Sequence, residues 1–427
     1  MDGMSVPSPA DEHVRALMPD PDPEFAAAIV WARGDDLVLG HGGVTVLLDG
    51  PRRLTRLSAL WRRAVEASEL APDDRARAWV SSTFADDSRE PAVLRVPATW
   101  TRVSRDMQGR PQTESTRQAV TEAALAQAVA EDPRARLLRS AAPLLPDAQE
   151  HAWDDGQYAR AVERILDLLD EDAATGLRKV VISRTETLAT TARALWRAVD
   201  ALRSEYPQTW VFAVGGLLGA TPEMLATLRD GRVESVVLAG SMGRGATPEA
   251  DAAARERLAT HERLADEHRW AARSVCDALA DVVDLDEAHP EPSVLTLPNV
   301  HHLATSVTGR LTGGEGTVLD VVARMHPTAA VGGTPTDAAV EVIGRVEPVD
   351  RGRYAGPVGW LDQDGDGEIA LALRCAQQVR AAEPDPDLSA VMRLHAGGGI
   401  VAGAVAEEEV AEIGAKFSPM RRALGLG

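Results

Sequence analysis

The chain has 427 residues, 44% hydrophobic and 26% charged, a globular balance long enough for one large or two medium cores. Its net charge of −20 argues against nucleic acid or an anionic membrane as a partner, and an anionic ligand would need local cations or a metal to draw it in. Cys276 and Cys375 lack metal-site spacing and read as reduced, the longest apolar run (210–220) is too short to span a bilayer, and the acidic, Pro-rich start lacks the basic n-region of a signal peptide; together these point to the cytoplasm.

Residues 1–24 read as a loose tail. From 25 to 150, β-like runs (44–48, 79–82, 92–96) alternate with a helical stretch at 57–69, followed by a less regular part with a helical piece near 117–130. From 151 onward the patterns sharpen: an amphipathic helix at 157–171 leads to a strand at 179–184, and a helix at 192–205 to a strand at 209–215. One long helix is expected from Thr247 to about Val283, with Thr247 as N-cap, Pro248 at the first helical position and a buried stripe of Leu258, Ala265, Ala272 and Leu279. Strands return at 294–297, 302–307, 358–361 and 369–374, and a helix at 407–424 closes the chain. Strands arrive in groups rather than as βαβ units, which predicts an α+β fold with antiparallel sheets.

Asp362-Gln-Asp364-Gly-Asp366-Gly367 imitates the opening of an EF-hand loop, but position 12, which must be a bidentate Glu, is Leu373. A hairpin turn explains the same Asp and Gly residues.

Eight blocks carry a stronger signal: KVVISR (179–184), GATPEMLA (219–226), LAGSMGRGATPE (238–249), HHLATSVTGRL (301–311), MHPTAAVGGTP (325–335), EPVDRGRYAGPVGWLDQDGDGEIALALRCA (347–376), HAGGGIVAG (395–403) and EEEVAEIGAKFSPM (407–420). In this order they resemble the chorismate-binding domain shared by isochorismate, salicylate, anthranilate and aminodeoxychorismate synthases, strongly over roughly 155–425. The resemblance implies two mostly antiparallel β-sheets packed as a sandwich with helices outside. It divides the chain into the tail (1–24), a β-rich lobe completing the sandwich (25–150) and a catalytic domain (151–427). Family members are often monomers, and a monomer is expected here.

Within that family the resemblance points to the water-adding isochorismate synthases, in which water attacks ring C2 of chorismate as the 4-hydroxyl leaves. Lys179 matches the family's base; alone it reads as a solvated strand end, and the role demands a neutral amine, which desolvation and nearby cations favour. Glu223 matches the acid; alone it is a common turn residue, and the role demands a carboxyl kept protonated by burial. Glu267 and Glu412 match ligands of Mg²⁺, with Glu409 joining through a water. Glu267 lies between Leu264 and Trp270 at i±3, whereas Glu409, Glu412 and Lys416 share one helical face and read equally as a surface salt bridge. Tyr354 and Arg374 correspond to positions that meet the enolpyruvyl carboxylate, a task suited to the bidentate guanidinium. Gly397 and Gly240 allow close approach of backbone to the ligand, Lys416 supplies a second positive end, and His302 corresponds to a residue near the substrate.

The chain departs from the family's pattern at four places. His395 stands for the usual aromatic before AGAG, Gly398 for the following Ala, His261-Glu262-Arg263-Leu264 for S-E-K-D, and Ala329-Ala330 end the HPTPA block. No proposed chemical group is lost. Salicylate synthase, which goes on to eliminate pyruvate, shares the same catalytic positions; the GGTP of loop 331–339, with Thr336 where lyase-competent relatives carry Lys, favours isochorismate. A catalytically silent chorismate-binding relative is a third reading, against which all four chemical positions are retained. Isochorismate so made would serve menaquinone, siderophore or salicylate synthesis.

Overall fold

The computed structural model describes residues 25–106, 108–139, 145–146, 153–171, 176–288, 290–296, 300–314, 316–380 and 390–426, without the side chains of Glu171, Ser241, Arg263, Glu267 and Val300. The expected tail and Leu297 lie outside these residues.

Two large sheets carry the fold. Ten strands form the first, in spatial order Gly333–Thr334, Lys179–Thr190, Ala390–Val401, Cys375–Val379, Leu217–Thr221, Trp210–Val214, Ile29–Arg33, Asp36–His41, Thr99–Arg105 and Pro111–Arg117. The second runs Val283–Leu285, Val300–Leu311, Arg232–Gly243, Met224–Arg229, Gly367–Leu371, Pro357–Asp362, Arg77–Ser81, Ala92–Val96, Val44–Leu48 and Ala135–Leu138, with Ser293–Thr296 paired to the Val300–Leu311 strand. Neighbouring strands are antiparallel throughout, as the hairpin-like grouping in the sequence predicts. Strands from residues 25–150 extend both sheets: Ile29–Arg33 pairs with Trp210–Val214, and Arg77–Ser81 with Pro357–Asp362.

The sheets meet face to face. Side chains such as Trp79, Val180, Ile182, Phe212, Leu394 and Ile400 are buried in one continuous core, and Trp31 Nε1 donates to Glu368 Oε2 from one sheet to the other at 3.0 Å. The helices are Arg53–Ala67, Glu122–Ala130, Asp155–Glu171, Ala192–Glu205, Pro248–Thr260, Glu262–Leu279, Val318–Met325, Thr336–Val346 and Ala406–Ala423. Thr121, Thr191, Thr247 and Thr317 cap four of them, each hydroxyl accepting from a first-turn backbone N–H. Among the described residues no helix is long and apolar enough to cross a membrane.

Three expectations change. The single helix from Thr247 to Val283 is two, broken at His261, whose backbone is extended (ψ 99°) and whose imidazole accepts from Leu264 N–H, starting the second helix as the first ends. Val283 belongs to a strand, and of the proposed stripe Leu258, Ala272 and Leu279 are buried while Ala265 is only half-buried. The 179–184 strand runs on to Thr190 along the whole Ala390–Val401 strand. Residues 362–366 do form a hairpin turn, but Leu373 falls in the connection after Gly367–Leu371.

Candidate active site

Lys179 opens its strand between two partners. Thr334 pairs with it on one side and Val401 on the other. Gly333 is held at φ +140°, and a Cβ there would lie 2.2 Å from Lys179 O and 2.6 Å from Ala339 Cβ, so only glycine lets the GGTP loop run this close to the Lys179 backbone. Thr336 Oγ1 turns back on its own loop, donating to Gly333 O at 3.4 Å. On the other side the Lys179 side chain crosses bare backbone: a Cβ on Gly399 would come within 2.7 Å of Cε and 3.5 Å of Nζ.

Glu223 sits in the turn between the Leu217–Thr221 and Met224–Arg229 strands, where its N–H donates to Thr221 Oγ1 (3.2 Å) and its carbonyl accepts from Leu371 N–H (3.0 Å). Burial pushes its carboxyl up to about 7, and the charge of Lys179 acts in the opposite direction. Arg374, far along the chain, is half-buried in the bend after Leu371 with a left-handed backbone (φ +48°), its carbonyl accepting from Ala220 N–H at 3.2 Å.

A second group gathers on the glycine strand. The Tyr354 hydroxyl lies over Gly397, 2.5 Å from where a Cβ would stand. Lys416 Nζ donates to Gly397 O (2.8 Å) and pairs with Glu412 (2.6 Å), so it ties the C-terminal helix to this strand with two of its three donors. Glu412 is exposed, whereas Glu409 is half-buried, and burial followed by the Glu412 charge pushes the Glu409 carboxyl up. Two carboxylates that repel each other, only one of them with a described ion pair, form an oxygen donor set suited to a hard cation.

Long-range buried pairs fix the loop that carries Tyr354. Arg351 pairs with Glu347 (2.7 Å) and donates to Val181 O (2.6 Å) and Val331 O (2.8 Å), while Ser183 N–H donates to Glu347 (2.6 Å). Tyr354 stacks on His395, centroids 4.8 Å apart and planes within 12°. Arg393 Nε donates to His395 Nε2 (3.2 Å) and Arg393 itself pairs with Glu90 (2.5 Å), with Gln377 donating to the same carboxylate. Burial, with Arg393 and Arg351 adding to it, holds His395 well below the usual imidazole range. The departure at 395 therefore keeps a flat, neutral ring under Tyr354.

Gly240 and His302 belong to the second sheet. Gly240 (φ +76°) occupies a bulge between Ala239 and Ser241, with Leu264 and Leu303 at ordinary contact distance, and His302, paired opposite Ser241, is half-buried and lowered by burial and by His301. Glu267 lies on the helix that packs there, its side chain outside the described set. The sequence reading passed over its neighbour His268, which is buried and bonds Ala239 O (3.0 Å) and Thr305 Oγ1 (2.7 Å), pinning that helix to the bulge. The signal was available: His268 lies at i+4 from Leu264 and i−4 from Ala272, on the apolar face. Among the described residues no three His, Cys, Asp or Glu side chains close into a metal site. A cleft of about 1320 Å³ contains none of the candidate residues; it opens elsewhere between the sheets, where Arg33 and Arg77 already cover the faces of Trp210 and Trp360 at 3.9 Å.

A sequence profile described as "Chorismate binding enzyme" matches residues 98–425. The chain is 39% identical over 210 residues to isochorismate synthase DhbC of Bacillus subtilis, covering 49% of this chain and 50% of that protein. It is 34% identical over 259 residues to isochorismate synthase EntC of Escherichia coli K12, covering 58% and 62%. The matches thus span about half the length of such relatives. The structure superimposes with a TM-score of 0.68 on MenF, the menaquinone-specific isochorismate synthase of Escherichia coli, over 95% of this chain and 92% of that one at 24% identity.

Proposed function

Since this chain belongs to the family of chorismate-binding enzymes, we propose that it is a Mg²⁺-dependent isochorismate synthase, a cytoplasmic monomer serving menaquinone or siderophore synthesis. One observation carries the reading: Glu223, whose carboxyl is lifted to about 7, feels the charge of Lys179, an amine laid across Gly399. This is an acid and a base set on one site.

In this reading the Lys179 amine takes a proton from water as the water oxygen bonds to ring C2 of chorismate. The ring double bonds shift, the C4–O bond breaks, and the Glu223 carboxyl protonates the departing 4-hydroxyl, so that one water enters and one leaves. Arg374 and the Tyr354 hydroxyl hold the enolpyruvyl carboxylate, the stack on His395 keeping the phenol flat over Gly397. Gly240 lets the backbone approach the ring and His302 borders it; Lys416 adds positive charge beside Gly397. Glu267 and Glu412, with Glu409 through a water, would hold Mg²⁺, which supplies positive charge for the ring carboxylate that a chain of net charge −20 would otherwise repel. Thr336, its hydroxyl turned to Gly333 O, stands where lyase-competent relatives carry Lys, which supports release of isochorismate over pyruvate elimination.

Purified protein incubated with chorismate and Mg²⁺ tests this, with products separated chromatographically. Isochorismate alone is expected. Salicylate plus pyruvate would establish the lyase-competent alternative, and no turnover would leave a silent chorismate-binding relative.

A further inference from the structure

Tyr158, on the Asp155–Glu171 helix, is fully buried and packs edge-to-face on Trp153 with centroids 6.0 Å apart. Its hydroxyl has no hydrogen-bond partner among the described residues. A buried phenol left so is destabilising, which marks the group for a ligand or a role. The hydroxyl points at the glycine strand: the place where a Cβ on Gly398 would stand is 3.2 Å from Tyr158 Oη and also 3.2 Å from Glu409 Oε2. Both oxygens border the space over a backbone that has no side chain, at the residue where the family pattern leads one to expect Ala. The Asp155–Glu171 and Ala406–Ala423 helices pack together, so this juxtaposition is built into the fold.

We infer that Tyr158 is a positioning residue of the cation site: its hydroxyl donates to the Glu409 carboxylate through one water in the space over Gly398, and turns that carboxylate toward the metal. The proposal rests on the Mg²⁺ reading above and adds a residue to it. A phenol has one hydrogen to donate, and no described residue takes it. A donor on Glu409 fixes which way its carboxylate oxygens turn.

Calorimetric titration of the full chain with MgCl₂, in the absence of chorismate, tests it. Tyr158→Phe keeps the ring and its packing on Trp153 and is expected to weaken Mg²⁺ binding about tenfold, the ordinary effect of losing a group that orients a ligand. Gly398→Ala, whose methyl intrudes into the space both oxygens border, is expected to weaken it as well. Because Tyr158 acts through Glu409, Tyr158→Phe in a Glu409→Gln background should cause no further loss. A wild type that binds Mg²⁺ and a Tyr158→Phe variant that binds it equally well would overturn the role of Tyr158 alone. A wild type that converts chorismate yet binds no Mg²⁺ would overturn the metal reading and this one with it. Additive losses in the double variant would show that Tyr158 acts by another route and refute the positioning role.

Discussion

Gly399→Ala separates the placement of the proposed base from the stability of the fold. The added Cβ would stand 2.7 Å from Lys179 Cε, whereas carbon atoms in contact prefer about 3.5–4.0 Å. Relief requires a retreat of about 1 Å, and the atom that must retreat is the far end of a flexible side chain rather than backbone. The Gly399 backbone is outside the left-handed region, so alanine fits it without strain. Folding stability should therefore change by less than about 0.5 kcal/mol. Proton transfer is less tolerant, and a misplacement of about 1 Å costs on the order of 100-fold in rate. We expect kcat for isochorismate formation, measured by product chromatography at saturating chorismate and Mg²⁺, to fall about 100-fold while the urea midpoint stays at the wild-type value. Lys179→Ala gives the floor for comparison. Wild-type turnover in Gly399→Ala would show that the amine does not work from the position over Gly399, and the role of Lys179 would have to be abandoned.

Glu223, at about 7 in the folded chain against 4.5 as its ordinary value, holds its proton in the native state through that window, so its contribution to stability is full below about 4.5 and lost as pH rises through 7. Glu223→Gln should be more stable than wild type at pH 8 by up to about 3 kcal/mol, with the difference vanishing toward pH 4.5 in urea melts, and wild-type kcat should decline as pH passes 7; equal stability at both pH values would contradict the buried carboxyl. Glu347→Ala strands the buried Arg351 guanidinium without its partner and should cost about 3–5 kcal/mol by denaturant melts, a loss below about 1 kcal/mol refuting the clamp.

The legible parts of this fold are those written in local chemistry. The Ala192–Glu205 helix shows its amphipathic period, Thr191 caps it, and the Asp/Gly turn at 362–366 declares itself against the EF-hand reading. The break at His261 was hidden because neither Gly nor Pro marks it; an imidazole does the capping. The full length of the Lys179–Thr190 strand was equally hidden, since its outer half alternates like a surface strand and its extent is set by a partner far along the chain. In the site, the resemblance named residues but not their supports. The Tyr354–His395 stack, the Glu90–Arg393 pair and the bonds from Arg351 to Val181 O and Val331 O each join separate parts of the sequence, and no periodicity encodes them.

The pairing of Lys179 with Val401 also governs when this protein can come into being. Lys179 is made long before the strand that receives its side chain, which lies more than two hundred residues further along the chain. Until Ala390–Val401 emerges, the Lys179–Thr190 strand has one long edge of unsatisfied backbone N–H and C=O groups. Such non-local closure slows folding and lengthens the time that edge is open to other chains. A message truncated upstream of residue 390 would yield an adhesive strand rather than a weak enzyme, and a cell would meet it as a burden on its chaperones.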